Sequence, residues 1–430
     1  MVGDRAGSVH RPGALDVAGA EVVWAGPAAA APPAAGAVAD LGGLVMPGLV
    51  NTHAHTPMTL LRGAGDGLPL GRWLAEAVWP LEAAAGDEDV RWGMLLGAAE
   101  LLANGVTTTC EQYPRPRAVA AAALESGIRC VVAPAVFGAS GPGSGWRRDL
   151  EEAAAVHAEF HGQEGRLTVG LGPHSAYTLS PEGLEATAGL AEQLGALVTI
   201  HVAETAAEER QVRDAHGCGS VELLERLGVL DRPVLAAHSV WVGDRDLDRY
   251  AAHGVAVAHC PTSNAKLGSG VARLGEMLRR GVAVGLGTDG PASNDTLDLW
   301  AEMRTAALLA RATAADAALV PTAEALWLAT GAGAGALGLP TGVLEPGRAA
   351  DFVRVELDDS RFVPAADDRQ LLSHLVWAAG SRLVTDVWVA GRRVVASGRC
   401  TTVDAPEARR QVAARAGRLH QAARGPAGER

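Results

Sequence analysis

Between about residues 44 and 335, short apolar runs alternate with stretches whose apolar positions recur at helical spacing. The runs fall at 45–51, 106–111, 130–136, 167–173, 197–203, 234–238, 255–259 and 282–288, each the length of a strand. Helical spacing is clearest at Trp92–Ala103, Pro181–Leu194, Gly219–Leu227, Asp244–His253 and Val271–Arg280. Eight strands with intervening helices predict an α/β fold, a (β/α)8 barrel of the TIM type. Functional residues of such a barrel sit at the C-terminal ends of its strands.

The flanks carry a different pattern. Val and Trp alternate with polar or small residues in Glu21–Gly26, Ala350–Val355 and Asp386–Val395, as in half-buried strands. Since both ends of the chain supply such runs, the expected arrangement is one small β-sandwich built from residues 1–43 and 343–402. It would lie beside a barrel domain spanning 44–342, with a C-terminal helix and tail over 403–430. The Pro- and Ala-rich segment 27–39 reads as a loop, and residues 425–430 are expected to fray.

Composition narrows the picture. The 430 residues are 48% hydrophobic and 20% charged, which suits a folded chain with a large core. A formal net charge of −12, spread without long blocks, argues against a nucleic-acid groove, though not against a pocket for one nucleoside. Five scattered cysteines, at 110, 130, 218, 260 and 400, do not form a disulfide framework and suit a reducing compartment. Residues 1–20 lack the pattern of a signal peptide, and no apolar stretch is long enough to span a bilayer. The expectation is a cytoplasmic protein with no membrane partner.

The chemistry lies at the ends of the apolar runs. In Pro47-Gly-Leu-Val-Asn-Thr-His53-Ala-His55, two imidazoles stand two residues apart and so share one face of a strand. His201 and His238 close two further runs, and Asp289 follows the last. His53, His55, His201 and Asp289 together make a credible set of ligands for a catalytic zinc, which keeps one position open and lowers the pKa of the water there to about 7. Glu204, three residues beyond His201, is placed to take a proton from water and pass it to a substrate nitrogen. His238 has no place in a four-ligand set. It reads as a hydrogen-bonding partner of the attacking water, with a fifth ligand or a structural histidine as alternatives.

These residues sit in blocks with a family resemblance. The blocks are Pro47–Gly63, Gly172-Pro-His-Ser175, His201-Val-Ala-Glu-Thr205, Ala237-His-Ser-Val-Trp241, Pro261–Gly270 and Gly287–Asn294. Together the chain resembles the amidohydrolase superfamily, in the branch of S-adenosylhomocysteine/methylthioadenosine deaminases and triazine chlorohydrolases. The resemblance implies a single zinc ion per subunit, with Fe2+, Mn2+ or Ni2+ as alternatives, held by His53, His55, His201 and Asp289. Strand 4 ends in His174 and not in a lysine able to bridge two metals. It further implies Asp289 as acceptor of the water proton, Glu204 as shuttle to the ring nitrogen and His238 as polarising partner. Family members are often dimeric or tetrameric, so a homo-oligomer is also implied.

For substrate, the resemblance assigns Trp73 to pack beneath the sugar or thioether, Glu82 to the ribose hydroxyls and His174 to the purine. The expected reaction converts a 6-aminopurine nucleoside (adenosine, methylthioadenosine, S-adenosylhomocysteine or a related 5′-modified adenosine) to its 6-oxo product and ammonia. The alternative is an s-triazine or other heterocycle hydrolysed at the same metal site. The chain departs from the family pattern after strand 2, where it reads Thr109-Cys-Glu-Gln-Tyr113 in place of Phe-X-Asp-Met-Tyr. It also lacks the strand-3 arginine that grips the homocysteine carboxylate, Arg129 coming too early. Arg148, or its neighbour Arg147, is the candidate replacement.

Overall fold

In a computed structural model of the chain, the residues described are 5, 7–138, 143 and 145–423. The strands, in order, are β1 (Gly13–Ala18), β2 (Glu21–Pro27), β3 (Leu44–Pro47), β4 (Leu49–Ala54), β5 (Val106–Tyr113), β6 (Arg129–Val136), β7 (Leu167–Val169) and β8 (Gly172–Pro173). They continue as β9 (Val198–Val202), β10 (Val234–His238), β11 (Ala256–His259), β12 (Ala283–Leu286), β13 (Phe352–Val355), β14 (Val384–Val389), β15 (Arg392–Ala396) and β16 (Arg399–Cys400).

Strands β4 to β12 form the expected (β/α)8 barrel, with β7 and β8 as two pieces of its fourth strand. Two parallel arcs, β4-β5-β6-β7 with β8 on β6, and β9-β10-β11-β12, meet at two seams. One seam is bridged at Leu171–Val198 and Ser175–His201, the other at Ala54–Asp289. Asn51 locks the second seam: its amide donates to Thr288 Oγ1 at 2.8 Å and accepts the Thr288 N–H at 2.9 Å. The barrel strands are buried along nearly their whole length, which is why each reads as an unbroken apolar run. Helices Pro181–Leu194 and Asp244–His253 occupy the ranges their spacing predicts.

The flanking segments build a sandwich. An antiparallel sheet in the order β16-β15-β14-β13-β3 faces the β1–β2 hairpin. Val22, Leu344, Ala350 and Phe352 fill the space between them, and Phe352 stacks on Trp388 with ring centroids 4.6 Å apart. The apolar run at 45–51 is two strands, not one. Leu44–Pro47 pairs with β13, so residues 44–47 join the sandwich sheet and the barrel starts at Leu49. Gly48 sits at the crossing because a Cβ there would lie 2.1 Å from Thr107 Oγ1. The two domains are also riveted by a buried ion pair, Arg129 Nε to Asp351 Oδ2 at 2.6 Å and Nη2 to Oδ1 at 3.1 Å.

The C-terminal helix Ala405–Ala423 packs on helix Asp87–Ala103, with Arg415 and Arg418 on buried Asp89 at 3.1 and 2.5 Å. The frayed end expected at 425–430 lies outside the described residues. Among the described residues no helix is long and apolar enough to cross a membrane.

Candidate active site

The C-terminal ends of β4, β9, β10 and β12 bring His53, His55, His201, His238 and Asp289 into one buried cluster. The His53 and His55 rings lie 4.8 Å apart and nearly perpendicular, and His53 is 4.9 Å from His201. His53 is fully buried, yet among the described residues neither of its ring nitrogens has a hydrogen-bond partner. Such an orphan is costly unless something outside the chain satisfies it.

The remaining contacts say what that something is. His55 Nδ1 lies 2.5 Å from the Gln112 carbonyl and His201 Nδ1 2.7 Å from the His174 carbonyl. A carbonyl only accepts, so each Nδ1 carries the hydrogen and each Nε2 presents a bare lone pair. These two Nε2 atoms face each other at 3.3 Å, and His55 Nε2 is 3.3 Å from Asp289 Oδ1. Lone pairs converging without a proton between them repel, and a cation reverses the sign of every term. Three imidazoles and one carboxylate, with Nδ1 of two rings tied to carbonyls behind them, suit a divalent ion of the zinc type. His53, His55 and Asp289 form one compact ligand group, while His53, His201 and His238 form another. His238 as an additional ligand therefore stays open.

Electrostatics agree with neutral imidazoles. Burial holds His53 and His201 well below the usual histidine range, and neighbouring imidazoles add to this. Burial alone pushes Asp289 up, but His55, His238 and His53 outweigh it and hold the carboxylate ionised far below its ordinary value. His238 goes the other way: burial lowers it, yet Glu204 and Asp289 raise it on balance. Burial raises Glu204.

The backbone is strained where these groups emerge. Ala203, His238 and Asp289 all lie in the left-handed region, with φ of 51°, 67° and 60°. Each such residue costs on the order of 1–3 kcal/mol, which the surroundings must hold in place. Glu208, itself buried, accepts the N–H of Ala203 at 2.9 Å and of Glu204 at 2.8 Å. After Asp289, Gly290 admits His55 and Met58, since a Cβ would come 2.5 Å from the Met58 sulfur.

One segment supports three of the groups from behind. Ser263 Oγ donates to Asp289 Oδ2 at 2.6 Å, and Ser293 Oγ adds a second bond at 2.8 Å. Asn264 Oδ1 is 2.9 Å from His238 Nδ1, and Ser269 Oγ donates to Glu204 Oε1 at 3.2 Å. Glu204 Oε2 in turn lies 3.8 Å from His238 Nε2.

The cluster opens into a cavity also lined by Trp73, Glu82, Tyr113, His174 and Tyr177, with His174 against His201 at 4.8 Å between ring centroids. Trp73 is 5% exposed, and its indole N–H donates to the Ala64 carbonyl at 3.0 Å. Glu82 is half-buried and accepts a hydrogen bond from Tyr113, while burial pushes its pKa up to about 7. His174 is braced by Thr178 Oγ1 at 3.1 Å and stacked on Phe137 at 4.9 Å. Burial lowers its pKa to about 3, so it meets a ligand as a neutral ring.

Arg148 stands apart from this lining. It is exposed on helix Trp146–Phe160 and lines a separate cavity with Trp146, Thr178 and Ser180. That helix turns Leu150, Ala153 and Val156 inward, which leaves Arg147 and Arg148 facing out. Among the described residues, the lining of the cavity at the His/Asp cluster includes carboxylates but neither arginine nor lysine. Sequence reasoning missed Gln112, Tyr113, Tyr177, Ser263 and Ser269 as parts of the site. The Glu-Gln-Tyr departure after strand 2 and the block Pro261–Gly270 drew attention to four of them without assigning a role, and nothing pointed to Tyr177.

With this geometry in hand, comparison with known proteins is specific. Residues 44–394 match the model of the amidohydrolase family. A 5-methylthioadenosine/S-adenosylhomocysteine deaminase of Pelotomaculum thermopropionicum is 41% identical over 96% of this chain and 95% of its own. A 5′-deoxyadenosine deaminase of Methanopyrus kandleri is 40% identical over 85% and 84%. The solved structure of an adenosine deaminase from Xanthomonas campestris with bound zinc superposes with a TM-score of 0.89, at 35% identity, covering 95% of this chain and 94% of that one. The chain belongs to the amidohydrolase family.

Proposed function

We propose that this chain is a zinc-dependent deaminase of a 6-aminopurine nucleoside, replacing the 6-amino group by oxygen and releasing ammonia. The observation that carries the reading is a single cavity with a cation-demanding His/Asp cluster, a buried acid–base pair and the Glu82–Tyr113 pair around it. Relatives named for adenosine derivatives support the substrate class.

When bound by His53, His55, His201 and Asp289, the ion supplies Lewis acidity that lets water attack at neutral pH. The chain's residues do the rest. Asp289 keeps Oδ2 occupied by Ser263 and Ser293 and turns Oδ1 to the imidazoles, where it takes the first proton of the attacking water. Glu204 hands a proton to the ring nitrogen beside C6; the amino group then takes up the proton held by Asp289 and leaves as ammonia, while the new hydroxyl returns its proton to Glu204 as the 6-oxo group forms. His238, anchored by Asn264, orients the water and shares charge with Glu204. Elsewhere in the cavity lining Glu82 accepts from the ribose diol and Trp73 packs against the sugar face, while His174, beside His201, reaches the purine edge.

The test is incubation of zinc-loaded protein with adenosine, 5′-deoxyadenosine, methylthioadenosine and S-adenosylhomocysteine. Ammonia and the 6-oxo nucleoside should appear together, and His201→Ala should abolish both. Ammonia from melamine alone would move the reading to the triazine hydrolases.

A further inference from the structure

Lys266 is the one lysine of the chain, every other strongly basic position being arginine. It lies in the segment 261–269 that follows β11, the same segment whose Ser263, Asn264 and Ser269 hold Asp289, His238 and Glu204. Its Nζ reaches across to the loop after β12, to the Ala292 carbonyl at 3.4 Å and to the Asp295 carboxylate in close contact. Asp295 is itself left-handed, with φ of 67°, and Arg62 from the loop after β4 donates to its carbonyl at 2.6 Å. Three loops of the barrel mouth therefore meet at this ion pair.

We infer that Lys266 is a positioning residue: by clamping segment 261–269 to the Asp295 turn, it sets Glu204, His238 and Asp289 in mutual register for proton transfer. The support segment is short, and its three contacts all end on different side chains of the site. A shift of the segment moves all three at once, and small misplacements of reacting groups are expensive. The seat also explains the residue type. A compact ammonium with three radiating donors enters between a carbonyl and a carboxylate of one tight turn, where a planar guanidinium presents its donors in a fixed fork.

The inference rests on the deaminase reading for its kinetic arm, so a second arm needs no substrate. Acetylation of the zinc-loaded protein, followed by mass spectrometry of the Lys266 peptide, should proceed at least about tenfold more slowly folded than in urea, because the Ala292 carbonyl and the Asp295 carboxylate hold the amine away from the reagent. Equal rates would overturn the clamp. In the kinetic arm, Lys266→Met should lower kcat by at least about tenfold, with KM within about threefold and metal content unchanged. Asp295→Asn should do the same, and the double variant should lose no more than either single one. Unchanged kcat, additive losses, or loss of activity in step with loss of zinc would each overturn it. If wild type turns over none of the nucleosides, the deaminase reading fails, and the acetylation arm still decides whether Lys266 is seated as inferred.

Discussion

Nε2 of His55 and Nε2 of His201 face each other across 3.3 Å, each with its Nδ1 hydrogen committed to a backbone carbonyl behind it. Two lone pairs in that position are held apart only by the rigidity of β4 and β9, and a cation between them turns a repulsion into a bond. Metal binding should therefore contribute directly to folding stability.

Removal of the metal by a chelator is expected to lower the denaturation midpoint, and stoichiometric zinc to restore it. A ligand that binds only the folded state at a thousandfold excess over its Kd stabilises by about 4 kcal/mol. His201→Ala should abolish the difference between metal-loaded and metal-free protein. Calorimetry with and without chelator checks this.

Glu204→Gln retains the shape and the Ser269 contact but cannot carry the proton. Its kcat should fall by about 100- to 10,000-fold while KM and zinc content stay near wild type. Steady-state kinetics with metal analysis on the same sample is the measurement.

Glu82 supplies a pH signature. Its carboxyl rises from an ordinary 4.5 to about 7 through burial, so the folded state holds its proton more tightly than the unfolded chain. The stability this contributes is whole below the unfolded value and is lost as pH rises through 7. Between pH 5 and 8, ligand-free wild type should lose roughly 1–2 kcal/mol more than Glu82→Gln, solvent access at a half-buried site reducing the full effect. Urea midpoints of both proteins across that range check it, and KM for a nucleoside should rise in the variant.

Asp351→Ala strips the partner from buried Arg129 at the join of barrel and sandwich. The unpaired charge should cost about 3–5 kcal/mol. Equilibrium denaturation should show the loss, with little change in kcat once the protein is folded.

The barrel and the His/Asp cluster at its strand ends were legible in the sequence because both follow from local pattern. His53 and His55 obey strand alternation, and His201, His238 and Asp289 each close an apolar run. The supporting contacts were not legible. Nothing in spacing pairs Ser263 with Asp289 or Ser269 with Glu204, since these depend on which loop folds over which strand end. The division of 45–51 at Gly48 was hidden because hydropathy is continuous while the hydrogen-bonding partner changes from β13 to β5. The exposure of Arg148 was hidden for a related reason: only the folded helix shows that its apolar face turns Leu150, Ala153 and Val156 inward and Arg148 outward.

The central claim is that the cavity is built for a nucleoside. Its most direct test is kcat/KM of the zinc-loaded protein for methylthioadenosine or adenosine against free adenine and melamine. At least about a hundredfold preference for the nucleoside is expected, shrinking toward unity in Glu82→Gln as the contact to the ribose diol is lost. Equal or better turnover of the free base or the triazine would contradict it.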